Sequence, residues 1–152
     1  MIEFAKPTLK DIPEMQEVVK SEVESGIILF RDETEMANTI RSYTIAKENN
    51  AIIGFAALHI YSPDVAEVRS LVIKDGYRGK GVGGELILKL EEEAKKLGLS
   101  RILTLTYQKG FFEKHGFVEI PKENIPEHKI WADCIKCKHF PICNEISLIK
   151  TI

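Results

Sequence analysis

The chain has 152 residues, with 21 Lys plus Arg against 23 Asp plus Glu and a formal net charge of −2, so nothing marks it as a partner of nucleic acid or of an anionic membrane. That length suits one compact domain, 1–152, able to bury a core without disulfide or metal staples. No apolar run approaches the roughly 20 residues that cross a bilayer, and "MIEFAKPTLK" lacks a signal-peptide stretch, so a cytoplasmic protein is expected.

"IEFAKP" reads as a short opening strand. Thr8 and Asp11 suit a helix start, Pro13 is tolerated in a first turn, and Ile12, Met15, Val18, Val19 and Val23 repeat at helical spacing, which predicts a helix of about four turns. A shorter helix is predicted near 33–41. In "YTIAKENNAIIGFAALHIY" two apolar runs flank Asn49 and Asn50, residues that tolerate positive φ, and this predicts an antiparallel hairpin. "AEVRSLVI", 66–73, is the next strand.

A strong helix follows, with Val82, Leu86, Leu90, Ala94 and Leu97 on one stripe. Glu85 with Lys89, Glu91 with Lys95 and Glu92 with Lys96 form i,i+4 pairs toward solvent, and Gly98 ends it. "RILTLTYQ" is a strand, "GFFEKHG" a short helix stopped by Gly116, and "NEISLIK" a last strand. The order predicts a mixed α/β fold with one crossover helix, 80–97, between neighbouring strands.

"GYRGKGVGGELILKLEEEAKKLG", 76–98, places glycines at 79, 81 and 84 and so contains a literal G-x-G-x-x-G. A dinucleotide-binding turn needs a strand running straight into the first glycine and an acidic residue about 20 positions on. Here "KDGYR" separates Ile73 from Gly79, and "RILTLTYQ" carries no carboxylate. A P-loop fails as well, because Gly81 follows Lys80 where Ser or Thr must ligate magnesium. What remains is a run of small residues at a helix N-terminus, where backbone N–H groups and the helix dipole favour an anion, and a diphosphate is the natural guest. Arg78 and Lys80 flank it.

Arg78-x-x-Gly81-x-Gly83, entered from a strand and opening a helix, resembles the acetyl-coenzyme A pyrophosphate loop of the GNAT N-acetyltransferase superfamily. "FFEKHGF", 111–117, is similar to that family's later coenzyme-contacting helix, and "GIILFRDETE", "AALHIYSPDVAEVRSLVI", "LTLTYQKGFFEKHGF" and "HKIWADCIKCKHFPICNEI" resemble short, single-domain amino-acid N-acetyltransferases of the N-acetylglutamate synthase type. The resemblance implies a mostly antiparallel twisted sheet of about six to seven strands flanked by about four helices. It implies acetyl-coenzyme A as cosubstrate, held by Leu71, Val72, Ile73, Arg78, Gly79, Lys80, Gly81, Val82, Gly83, Gly84 and Phe112. It further implies direct acetyl transfer to a small-molecule amino acid, most simply glutamate, in arginine biosynthesis. A homodimer stays open. Other acceptors also stay open, namely another amino acid, a polyamine or a protein N-terminus, and so does a coenzyme-binding domain without turnover.

On "AEVRSLVI" the two-residue period puts Glu67, Arg69, Leu71 and Ile73 on one face and Val68, Ser70 and Val72 on the other. The resemblance makes Glu67 a general base and the backbone at Leu71 and Ile73 the partner of the pantetheine arm. Glu67 lies roughly 13 Å along the strand from Leu71, which calls for a relaying water. An amino group with a pKa of about 8 or higher is mostly protonated at neutral pH, hence the need for a base. The alternative is a plain Glu67–Arg69 ion pair. Many GNAT enzymes place a tyrosine where this chain has Phe112, which cannot protonate a leaving thiolate, so Tyr107, Thr106 or solvent must serve.

An acidic acceptor wants arginine forks, and Arg31 and Arg69 are the candidates, with Lys129 weaker. Cys134-x-x-Cys137-x5-Cys143 with His139 is either a zinc half-site, completed by His139, His128 or His115, or three reduced thiols. Acyl transfer from a thioester itself requires no metal.

Overall fold

The computed structural model describes residues 1–125 and 145–152. In chain order the elements are β1 (Glu3–Ala5), α1 (Ile12–Glu24), α2 (Glu33–Asn38), β2 (Tyr43–Glu48), β3 (Ala51–Ile60), β4 (Val65–Ile73), α3 (Val82–Leu97), β5 (Arg101–Thr106), α4 (Lys109–Lys114), β6 (Val118–Glu119) and β7 (Ile146–Thr151). The strands form one seven-stranded sheet in the order β1-β2-β3-β4-β5-β7-β6. Only β4 and β5 pair in parallel; the other neighbours are antiparallel. This is the mixed, mostly antiparallel α/β sheet that the sequence predicts, with the two-residue β6 added, too short to leave a periodic trace. No helix among the described residues is long and apolar enough to cross a membrane.

Local chemistry explains the frame. Asn49 and Asn50 adopt φ of 51° and 66° and turn β2 into β3. Ile12 and Met15 of α1 bury against Ile45, Phe55 and Val72 on one sheet face, while Ile87, Leu90 and Ala94 of α3 bury against Ala56, Leu58 and Val68 on the other. Two expectations about α3 need correction. Leu97 is 57% exposed; Gly98, at φ 88°, reverses the chain, and Leu99 takes the buried place instead. Glu91 is buried rather than paired outward with Lys95, because it turns toward β7, where Lys150 Nζ meets its Oε1 at 2.7 Å. A buried carboxylate without such a partner would be strongly destabilising.

The third correction shapes the site. Ala57 pairs with Arg69 and Phe55 with Val72, so Ser70 and Leu71 together face the single residue Ala56. This is a β-bulge, with Ser70 held at φ 56°. The extra residue breaks the strict two-residue period. Leu71 and Ile73 pack with Ile53, Val82 and Leu86 on the α3 side, and Val72 packs on the α1 side. Ala66 and Val68 also belong to the α3 side, so Glu67 and Arg69 face α1 and do not share a face with Leu71 and Ile73.

Just before the bulge β4 and β5 separate. Their parallel register covers Val65↔Arg101, Ala66↔Ile102 and Glu67↔Leu103. One residue on, Thr104 Oγ1 donates to the Val68 carbonyl at 3.3 Å, a side chain standing in for the ladder. Beyond that the two strands diverge.

Candidate active site

The divergence opens a cleft of about 1030 Å³. Residues 67–73 of β4 form one wall and residues 104–108, at the end of β5, the other; Phe111 and Phe112 of α4, the loop before α3 and the segment 26–31 complete it. A parallel pair needs only to stop hydrogen bonding for such a wedge to appear at the carboxyl ends of its strands, the usual place for a ligand in an α/β sheet.

At one end stands the glycine loop, and its glycines divide into two kinds. Gly79 and Gly81 have φ of 75° and 83°, a conformation that side chains disfavour. Gly81 is the N-cap of α3, carries no side-chain cap, and a Cβ there would meet nothing within 4 Å. Gly83 and Gly84 serve packing instead, since a Cβ on Gly83 would lie 3.2 Å from the Phe111 ring and one on Gly84 2.9 Å from His115. An uncapped N-terminus of a 16-residue helix, facing open space through glycine, fits a diphosphate. Gly79, Gly81, Val82, Gly83, Leu71, Val72, Ile73 and Phe112 line the cleft, whereas Lys80 and Gly84 stand outside its lining. Lys80 lies over the Tyr77 ring at 5.7 Å. Arg78 lines the cleft while bound to protein: its Nε donates to the Ile73 carbonyl at 2.9 Å, and its guanidinium meets Glu22 at 2.7 Å and Asp75 at 3.1 Å.

The other end is built from side chains. Glu67, only 2% exposed, accepts from the Arg69 Nε at 2.8 Å and from the Tyr61 hydroxyl at 2.6 Å, both on Oε1. Arg69 Nη2 in turn donates to the Tyr61 oxygen at 3.1 Å. Burial first, and the Glu67 carboxylate next, push the Tyr61 phenol well above its ordinary value, so Tyr61 is a neutral donor. Arg31 lines the same cleft and reaches Glu35, one turn into α2, at 2.6 Å. Tyr43 is buried nearby, and burial raises its phenol although Arg31 and Arg69 oppose the shift.

The structure therefore brings Glu67, Arg69 and Arg31 to one cleft. Tyr107, just after β5, is exposed and lines the cleft, as Phe111 and Phe112 do. Phe112 is buried, edge-on to Phe117 at 5.2 Å. Tyr61 is a participant that sequence reading passes over. The signal is a register argument: His59 pairs with Glu67 across the β3–β4 hairpin, which places Tyr61 diagonal to Glu67 on the same face, within reach of a long aromatic side chain. Cys134, Cys137, Cys143, His139, His128 and Lys129 lie outside the described residues. Among those described, no group of three or more His, Cys, Asp or Glu is placed to hold a metal.

Comparison with known proteins bears on this geometry. Residues 8–117 match the model of the acetyltransferase (GNAT) family. An uncharacterised N-acetyltransferase of Chlorobaculum tepidum is 33% identical over 144 residues, 95% of this chain and 92% of that protein. The amino-acid acetyltransferase of Aeromonas salmonicida is 31% identical over 121 residues, 78% of this chain but only 27% of that much longer protein. Among solved structures, the N-acetylglutamate synthase of Neisseria gonorrhoeae complexed with coenzyme A and N-acetyl-glutamate superposes with a TM-score of 0.88 at 22% identity, over 99% of this chain and 35% of that one.

Proposed function

Since the chain belongs to the GNAT acetyltransferase family and is an N-acetyltransferase that uses acetyl-coenzyme A, we propose that residues 1–152 act as one domain that acetylates the α-amino group of a small acidic amino acid, most simply L-glutamate. The observation that carries this reading is that Arg31 and Arg69 line one cleft with Glu67, on the side away from the glycine loop. A dicarboxylate amino acid presents two anionic ends, and guanidinium forks are their best partners. The name of the Aeromonas relative and the acetylated glutamate bound in the Neisseria structure agree with that choice.

In this reading acetyl-coenzyme A supplies the activated acetyl thioester. Its diphosphate rests on Gly79, Gly81 and the first turn of α3, and its pantetheine arm runs along Leu71–Ile73. Glu67 takes a proton from the acceptor's ammonium through a relaying water, so that the nitrogen lone pair attacks the thioester carbon. As the C–N bond forms and the C–S bond breaks, the leaving thiolate takes a proton from Tyr107, because Phe112 has none to give.

An acceptor screen with acetyl-coenzyme A tests the substrate. Glutamate should be acetylated in preference to glutamine, which keeps the shape and lacks the side-chain charge. Equal rates for the two would overturn the acidic acceptor and leave the acetyltransferase standing.

A further inference from the structure

We propose that Tyr61 is a positioning residue for the acetyl transfer: its hydroxyl, together with the Arg69 fork, holds the Glu67 carboxylate in the orientation from which it accepts the acceptor's proton. The proposal rests on the reading of Glu67 as the base.

A glutamate's last torsion is broad, so the side chain alone does not aim its oxygens. On β4 the backbone fixes the Glu67 Cα, and what fixes the carboxylate is a closed ring of three hydrogen bonds. Tyr61 Oη donates to Glu67 Oε1 at 2.6 Å, Arg69 Nε donates to the same oxygen at 2.8 Å, and Arg69 Nη2 donates to Tyr61 Oη at 3.1 Å. Each member thereby orients the other two. Burial, 2% exposure for Glu67 and 10% for the Arg69 side chain, keeps water from competing for these bonds.

The tyrosine is itself well seated. Its backbone N–H donates to the Val65 carbonyl at 3.0 Å, closing the β3–β4 hairpin. Its ring meets His59 edge-on at 4.9 Å, and the Arg69 guanidinium carbon lies 5.7 Å from its centroid. Those contacts belong to the ring. The hydroxyl can thus be removed as Tyr61→Phe with the ring kept in place, which separates aiming from packing. A phenol that stays protonated well above neutral pH remains a donor at every working pH, so the ring of bonds holds while the base cycles.

Four proteins decide the matter: the parent, Tyr61→Phe, Glu67→Gln and the double variant, each with kcat and KM for the best acceptor and a calorimetric coenzyme A titration. Tyr61→Phe should lower kcat roughly tenfold to a hundredfold, the worth of one hydrogen bond to a carboxylate, with coenzyme A affinity unchanged. In the Glu67→Gln background the same change should shrink to less than about twofold, because a positioning residue acts only through what it positions. An unaltered kcat in Tyr61→Phe, or the same factor lost in both backgrounds, overturns the proposal while leaving Glu67 as base. A Glu67→Gln enzyme of full rate removes the base itself and the proposal with it. If Tyr61→Phe also loses coenzyme A binding, Arg69→Lys opens the same ring from its other corner and is carried through the same cycle. A kcat loss that vanishes in the Glu67→Gln background then supports the proposal, and one that persists overturns it.

Discussion

The two ends of the cleft are made from different materials. The end at the glycine loop is backbone: residues 79–83 present amides at the start of α3, and what matters there is the φ of Gly79 and Gly81. The opposite end is side chain, with Glu67 and Arg69 from β4 and Tyr61 from beyond β3 hydrogen-bonded to one another, and Arg31, from the segment before α2, paired with Glu35. A site made of backbone is set by a few glycines and reads the same ligand whatever surrounds it. A site made of side chains can be re-cut one residue at a time, so on the proposed reading the cosubstrate is the fixed partner and the acceptor the variable one.

The largest effect that could break this comparison is at the proposed base. Glu67→Gln keeps the shape and withdraws the proton acceptor, and kcat should fall by about 10² to 10⁴ while coenzyme A binds as before. A loss of coenzyme A affinity as well would mean that the two ends are not independent.

Next come the anchors of each end. Arg31→Ala should raise the KM for glutamate roughly tenfold to a hundredfold, as expected for a charge-assisted hydrogen bond, and leave coenzyme A affinity alone. Gly81→Val should do the converse. An added Cβ meets nothing within 4 Å among the described residues, yet φ 83° costs a β-branched residue on the order of 1–3 kcal/mol, and the new methyls occupy the space in front of the helix amides. Coenzyme A affinity measured by calorimetry should drop at least about tenfold in a protein that still folds. Lys80→Ala, by contrast, should shift that affinity less than about threefold, because a side chain outside the cleft lining adds only screened charge.

The smallest effect concerns stability at high pH. Tyr43 is buried and Tyr61 half-buried, and burial raises both phenols. Their contribution is complete below about pH 10, the unfolded phenol's value, and is lost as pH climbs toward the raised folded values, because only the unfolded chain releases its protons in that window. Urea unfolding at pH 9 and pH 11 should show the fall, and Tyr61→Phe should make it shallower.

The same division of materials explains what the sequence reveals. Backbone features write themselves locally: the glycines of 79–84, the Asn49-Asn50 turn and the apolar stripe of α3 up to Ala94 each occupy one contiguous stretch, so the fold and the glycine-lined end of the cleft can be read from it. Side-chain clusters do not. Glu91 and Lys150 lie 59 residues apart, and nothing in the pattern around Glu91 announces that β7 will pass beside it. Arg31 and Glu35 are near in sequence but belong to a loop and a six-residue helix whose start had no firm periodic mark. Tyr61 needs the hairpin register before its neighbour is known. Ser70 defeats alternation outright, because a serine at positive φ carries no compositional signal of a bulge.

That bulge has a consequence for anyone who sets out to make the protein sturdier. Ser70 sits in a conformation that costs a non-glycine residue about 1–2 kcal/mol, and the β4–β5 ladder runs for only three residue pairs before it. Deleting Ser70 would restore one-to-one pairing with β3 and relieve that cost. It would leave Leu71, Val72 and Ile73 on the faces they hold now, since the bulge only absorbs the extra residue, but it would remove the bend at which β4 leaves β5. A selection for melting temperature alone would favour that deletion, and its product would be a sounder sheet in which the cleft between β4 and β5 no longer opens, an exchange of the proposed site for stability.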